Sequence, residues 1–170
     1  MKTLSVLALT ALAGAGLVLV QPQTTLSAET TKATQTVTRA GSFAATQGPA
    51  TTFTGRVRVE RIFKATEAAP YTAASVTFEP GVRTFWHSHV AGQHLIVVHG
   101  VGLTGTADGR VVEIRPGDEV WCPPHVKHWH GATATSSMTH IAITGIKDGK
   151  STTWLEEVTE AQYTARPDRK

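Results

Sequence analysis

The sequence holds one cysteine, Cys122, so no internal disulfide framework is available to it. Its fold must rest on buried apolar surface. The formal net charge is only +3, and the basic residues form no patch interleaved with aromatics. That excludes a nucleic-acid-binding reading. No repeat of solenoid length appears. Helical periodicity is scarce: only "TEAQY" near the C-terminus reads as a helical turn, with Thr159 as its N-cap. The N-terminal region lacks a twin arginine, which argues against export in a folded state. What is present is globular in kind: 170 residues, 41% hydrophobic and 17% charged, enough for one domain with its own core.

Lys2 precedes an uninterrupted apolar and small-residue run from Leu4 to Val20, and "LSA" offers a cleavage point after Ala28. Residues 1–28 read as a secretory signal peptide, which predicts an exported protein, periplasmic or secreted, with no stable membrane insertion after cleavage. A retained anchor is the competing reading, since the run sits at the short edge of a spanning helix. Residues 29–53 are rich in Thr, Ala and Gln without apolar periodicity and read as a flexible tether or edge arm. The domain is expected over 54–158, with a tail over 159–170. Cys122, in "EVWCPP", reads as a packed core thiol; a catalytic thiol would need a base that the sequence alone does not place beside it.

From residue 54 the chain alternates and is rich in Val, Ile, Thr and Trp. Short strand-like runs such as "GRVRVERIF", "AASVTFEP", "QHLIVVHG", "RVVEIRP", "KHWHGAT" and "MTHIAITGI" are separated by "EPG", "ADGR", "RPGD" and "KDGK". Many short strands with turn signals at this spacing predict an all-β barrel or sandwich. Asp108-Gly109 and Asp148-Gly149 read as tight hairpin turns.

Four of the eight histidines fall within Trp86–Gly100, "WHSHVAGQHLIVVHG". Residues i and i+2 of a strand share a face, so His87 and His89 project together. Gly92 permits a bend before Gln93 begins the next strand. His128 opens a further strand after a Pro-Pro turn, and His130 shares its face. Neutral imidazole is the commonest ligand for the transition metals, so convergence of these strands would make a metal site. His99, just before a turn glycine, reads as a surface residue.

Gly81, His87, His89, Gln93 and Gly100, followed after sixteen residues by Gly117, Pro123, His125 and His128, carry the spacing of the two motifs of the cupin family. The chain therefore resembles a small single-domain cupin. The resemblance implies a single jelly-roll β-barrel enclosing one divalent metal, held by His87, His89, Gln93 and His128. Gln93 stands where Glu is usual, His125 where Gly is usual, and Ala132 where the pattern ends in Asn. His94 competes with Gln93 for the fourth ligand place. Strand parity puts Gln93, Leu95 and Val97 on one face and His94, Ile96 and Val98 on the other.

An amide in place of a carboxylate leaves a divalent site at a net charge of +2, which favours anions and Lewis-acid chemistry over access to a trivalent state. More narrowly, "WHSHVAGQHLIV", "EIRPGDEVWCPPHVKHWHGAT" and "MTHIAI" resemble the bacterial manganese-dependent cupin hydroxynitrile lyases. That resemblance implies cleavage of cyanohydrins such as (R)-mandelonitrile to an aldehyde and hydrogen cyanide, with the reverse addition. It makes Mn the expected metal, with Fe, Zn, Ni and Cu as the other candidates. It makes His130 and His140 candidates for proton transfer, against a merely hydrogen-bonded or packed role. It places Ala74, Val76 and Thr144 in the substrate pocket, Thr144 standing where a longer polar residue is expected. A homodimer or homotetramer is the expected assembly. Two other readings stay open: a redox cupin of dioxygenase type, and a cupin that binds a small molecule without turnover.

Overall fold

The computed structural model describes residues 34–165. The signal-peptide reading, the first residues of the arm and residues 166–170 of the tail lie outside the described residues. Every element among the described residues falls in the unit that starts at Thr36. In chain order these are β1 (Thr46–Gln47), β2 (Val57–Phe63), β3 (Tyr71–Phe78), β4 (His87–His89), β5 (Gln93–Gly100), β6 (Gly102–Thr106), β7 (Val111–Ile114), β8 (Glu119–Cys122), β9 (His128–Ala132), β10 (Met138–Gly145), β11 (Thr152–Trp154) and α1 (Glu160–Tyr163).

The strands pair antiparallel in two sheets, ordered β1-β2-β3-β10-β5-β8 and β11-β4-β9-β6-β7. This is the expected all-β jelly roll, with one refinement. The strands do not close into one hydrogen-bonded barrel. β7 and β8 follow one another through the Arg115–Asp118 turn yet end as the edges of different sheets. An opening therefore remains between them.

Alternation builds the interior. In β10, Met138, His140, Ala142 and Thr144 are buried while the residues between them are half-buried. In β5, Gln93, Leu95 and Val97 turn inward and His94, Ile96 and Val98 outward. The main core gathers Val57, Phe78, Leu95, Val97, Ile114 and Met138. Burying a side chain of this size contributes roughly 1.5–3 kcal/mol. Cys122 is in the same core, and burial pushes its thiol up to about 12, with Glu119 adding to the shift. It is a packing residue.

Two segments outside the expected 54–158 span belong to this structure. β1 pairs with β2, and Phe53 packs edge-on against Phe78, so the end of the arm is the outermost strand of the larger sheet. Arm composition hid it, because a two-residue strand carries no periodicity. On the other side, Val158 and Tyr163 cover Trp86 and Trp129 on the outer face of the smaller sheet. α1 starts in a capping box: the Thr159 hydroxyl accepts from Gln162 N, and the Gln162 side chain accepts from Thr159 N. The Tyr163 hydroxyl donates to Ala132 O, and buried Arg83 donates to Val158 O while its guanidinium lies over the Tyr163 ring. This strap leaves β9 buried on both faces.

The turns follow their residues. Asp148 and Gly149 both take positive φ, 51° and 72°, as a two-residue type I′ turn requires. Gly92 (φ 80°) makes the bend between the two inward-facing segments of β4 and β5, and a Cβ there would lie 2.3 Å from Trp121. His125 also takes positive φ, 65°, while its N–H donates to His89 O. Here lies the physical reason for glycine at this motif position: a left-handed residue costs about 1–2 kcal/mol when it carries a Cβ. His125→Gly should therefore stabilise the fold by about 0.5–1 kcal/mol after the greater unfolded-state entropy of glycine is subtracted, read as a higher urea midpoint. An unchanged or lower midpoint would show the strain to be relieved by contacts of the imidazole.

Candidate metal centre and active site

Six of the residues singled out above meet between the sheets. β4 supplies His87 and His89, β9 supplies His128 and His130, β5 supplies Gln93, and β10 supplies His140. All six are buried. Register brings them together: His87 pairs with His128 across β4 and β9, and Gln93 pairs with Thr144 across β5 and β10. The His87 ring centroid is 4.3 Å from that of His128 and 5.1 Å from those of His89 and His130.

The imidazoles are held in one tautomer. His87 Nδ1 lies 2.9 Å from Phe85 O, His128 Nδ1 lies 2.9 Å from Val126 O, and His89 Nδ1 lies 3.3 Å from Ser151 O. A carbonyl oxygen only accepts, so each Nδ1 carries the proton and each Nε2 offers a lone pair. His89 Nε2, His128 Nε2 and Gln93 Oε1 are buried without any hydrogen-bond partner. Buried polar atoms are normally satisfied, so three orphaned acceptors in one place call for a cation. Gln93 Nε2 donates to Thr144 Oγ1 at 2.9 Å, which leaves Oε1 as the free end of the amide.

Among the described residues, His87, His128 and His130 are the group whose ligand atoms already lie within 4.8 Å of one another. This set has His130 where the motif has His89. Their hydrogen bonding differs. His130 Nδ1 is engaged with His140 Nε2 at 3.1 Å, whereas His89 Nε2 is orphaned. Ligation by His89 would relieve a buried unsatisfied atom, while His130 forms a hydrogen-bonded pair with His140.

Burial is the first cause of the proton affinities here. It drives His87 and His130 well below the ordinary imidazole range, with neighbouring histidines adding to the shift. It lowers His128, brings His89 to about 4 with help from His128, and brings His140 to about 3. The cluster is thus neutral at pH 7, the state that ligation requires.

A cavity of about 570 Å³ opens between β7 and β8 and reaches the cluster at His128. Thr104, Val112, Ile114, Val120 and Cys122 are among the residues that line it. The expected pocket residues do not line it. Ala74 and Val76 pack in the main core, and the Thr144 hydroxyl is engaged by Gln93. His94 points outward: its Nδ1 lies 2.7 Å from Glu119 Oε1, and its ring packs on Trp121 at 4.4 Å. Geometry thus leaves Gln93 as the residue of this pair facing the cluster. His99 is exposed.

A family model described as a cupin domain matches residues 74–144. Over 127 residues the chain is 52% identical to a protein named (R)-mandelonitrile lyase from Granulicella tundricola, spanning 75% of this chain and 97% of that protein. The chain belongs to the cupin family. A crystal structure of a cupin-like protein from Thermotoga maritima matches with a TM-score of 0.67 at 36% identity, over 73% of this chain and 94% of that one. A polyketide cyclase from Streptomyces resistomycificus matches at 0.58 with 15% identity, over 76% of this chain and 91% of that one, a likeness of fold alone.

Around the cupin centre the structure adds partners that sequence reasoning missed. The Thr84 hydroxyl accepts from His130 N, Trp154 packs on His87 at 4.7 Å, and Phe78 touches both His130 and His140. Nothing in the spacing pointed to Thr84 or Trp154, because their roles arise from pairing between distant strands.

Because the unfolded histidines titrate near 6.5, metal-free protein should be most stable above that pH. It should lose stability as pH falls from about 6.5, with His89 contributing down to about 4 and His140 to about 3. Urea midpoints at pH 7.5 and pH 5 on chelator-treated protein test this; equal midpoints would contradict a buried neutral cluster.

Proposed function

We propose that this cupin is a metal-dependent lyase that cleaves cyanohydrins such as (R)-mandelonitrile to an aldehyde and hydrogen cyanide, and runs the reverse addition. The observation that carries the reading is the neutral His130–His140 pair, hydrogen-bonded at 3.1 Å and set against a histidine cluster with orphaned acceptor atoms. The 52% identity to the Granulicella tundricola lyase supports it.

The metal ligands in this reading are His87, His89, Gln93 and His128. A divalent cation bound there supplies positive charge for the substrate oxygen or the departing cyanide. We take it to be Mn(II). Affinity order alone favours Cu and Zn in an imidazole-rich site, so geometry or supply must select manganese. The donors are three imidazoles and an amide, all neutral, which suits a reaction with no redox change.

The cavity between β7 and β8 admits the substrate. Its volume falls within the roughly 300–1,000 Å³ usual for small-molecule sites. The cyanohydrin hydroxyl loses its proton to His130, whose other nitrogen is in contact with His140. The bond between the carbinol carbon and the nitrile carbon then breaks, its electron pair leaving with cyanide as the C=O bond forms. Burial disfavours an imidazolium in this pair, so the proton passes on to cyanide and hydrogen cyanide departs. Leu103 and Trp129 lie on the outer side of the smaller sheet, away from this path. We further read the chain as exported and as a homodimer or homotetramer.

Purified protein should contain manganese by elemental analysis and release benzaldehyde from (R)-mandelonitrile, followed by absorbance. His128→Ala should lose both metal and activity. His140→Ala should keep the metal and lower kcat by about 10²–10⁴-fold. Full activity in His140→Ala would remove the proton-transfer role; iron or copper with oxygen uptake and no benzaldehyde would favour a redox cupin.

A further inference from the structure

We propose that Thr144 is a positioning residue for the metal: its hydroxyl accepts the Gln93 amide proton and thereby makes the amide oxygen, not the amide nitrogen, the atom presented to the ion. This rests on the metal-site reading above but not on the lyase reaction. An amide has two ends of nearly equal size and opposite polarity. Only the oxygen has a lone pair to offer a cation, while the NH₂ end brings two donors that a cation repels. A glutamate ligand has no such ambiguity. Gln93 stands where Glu is usual, so this chain needs a device that the usual ligand does not.

The structure contains one. Gln93 and Thr144 are direct register partners across β5 and β10. Both are buried, at 6% and 9% exposure. Gln93 Nε2 donates to Thr144 Oγ1 at 2.9 Å, and Gln93 Oε1 is buried and unpartnered. Two acceptors of the ligand set, Gln93 Oε1 and His89 Nε2, are thus buried without a partner. Thr144 faces the interior by strand parity with His140 and Ala142. Its hydroxyl oxygen accepts from Gln93.

Losing the acceptor strands a buried N–H whenever Oε1 is ligated. Removing a partner that orients a metal ligand typically lowers metal affinity by about 10–100-fold. Calorimetric titration of chelator-stripped protein with Mn(II) and with Zn(II) reads this without any assay of turnover. Thr144→Val, which keeps the shape of the side chain, should bind about 10–100-fold more weakly. Thr144→Ser should recover most of the loss, because it restores the acceptor. In a Gln93→Ala background, Thr144→Val should cost nothing further, since there is no amide left to orient. Should Thr144→Val fold poorly by circular dichroism, Thr144→Ala against Thr144→Ser makes the same comparison.

Wild-type affinity in Thr144→Val overturns the proposal, as does an equal loss in the Gln93→Ala background, which would mark a general packing role. Failure of wild-type protein to bind either ion overturns this proposal and the metal-site reading together. Tight, Thr144-dependent binding without mandelonitrile cleavage supports it and counts against the lyase reading alone.

Discussion

Three backbone carbonyls hold the chemistry of this protein in place. Phe85 O, Val126 O and Ser151 O each take the Nδ1 proton of one histidine, and each comes from a strand end or the connection beside it. A carbonyl cannot donate, so the opposite nitrogen of each ring is compelled to be an acceptor. Removing solvent then keeps the rings neutral, because a charged imidazole among other imidazoles has nothing to balance it. Acceptors that are buried, neutral and pinned are costly in an empty protein and favourable around a cation. The rest of the architecture works to maintain that condition.

Sealing comes from both sides. Packed apolar residues on β3, β5 and β10 close the larger sheet behind the cluster, and the segment ending in α1 closes the outer face of the smaller one. That second closure uses a buried cation, Arg83, satisfied by Val158 O, by Glu160 and by the Tyr163 ring. A buried guanidinium without these partners would be strongly destabilising. With them, it ties the C-terminal strap to the residues just before β4 and steadies the strand that carries His87 and His89. The opening left between β7 and β8 is where the pairing order breaks, so the topology that seals the site also provides its entrance.

Much of this was legible before any coordinates. Period-two alternation located the strands, and Asp-Gly pairs located two hairpin turns. Parity put Gln93 and His94 on opposite faces without saying which face is inward, and the structure shows the outcome: a one-residue step carries a side chain from the histidine cluster to the exposed Trp121 ring. Other positions were out of reach. β1 is too short to carry a pattern. Thr144 reads from sequence as a pocket residue, yet its hydroxyl serves Gln93, 51 positions away. The cavity-lining residues of β6, β7 and β8 look like ordinary alternating strand positions, because a lining residue differs from a core residue only in what the opposite sheet fails to cover.

By itself the sequence determined the all-β class, the inward set of histidines and the neutral character of the donors, since these depend on residue type and on spacing within a strand. Tertiary structure alone decided which nitrogen of each ring is free, that His130 pairs with His140, that Thr144 holds the Gln93 amide, and where the interior opens. Those features depend on backbone carbonyls and on cross-strand register. Both arise from contacts between residues far apart in the chain, which no local pattern of side chains encodes.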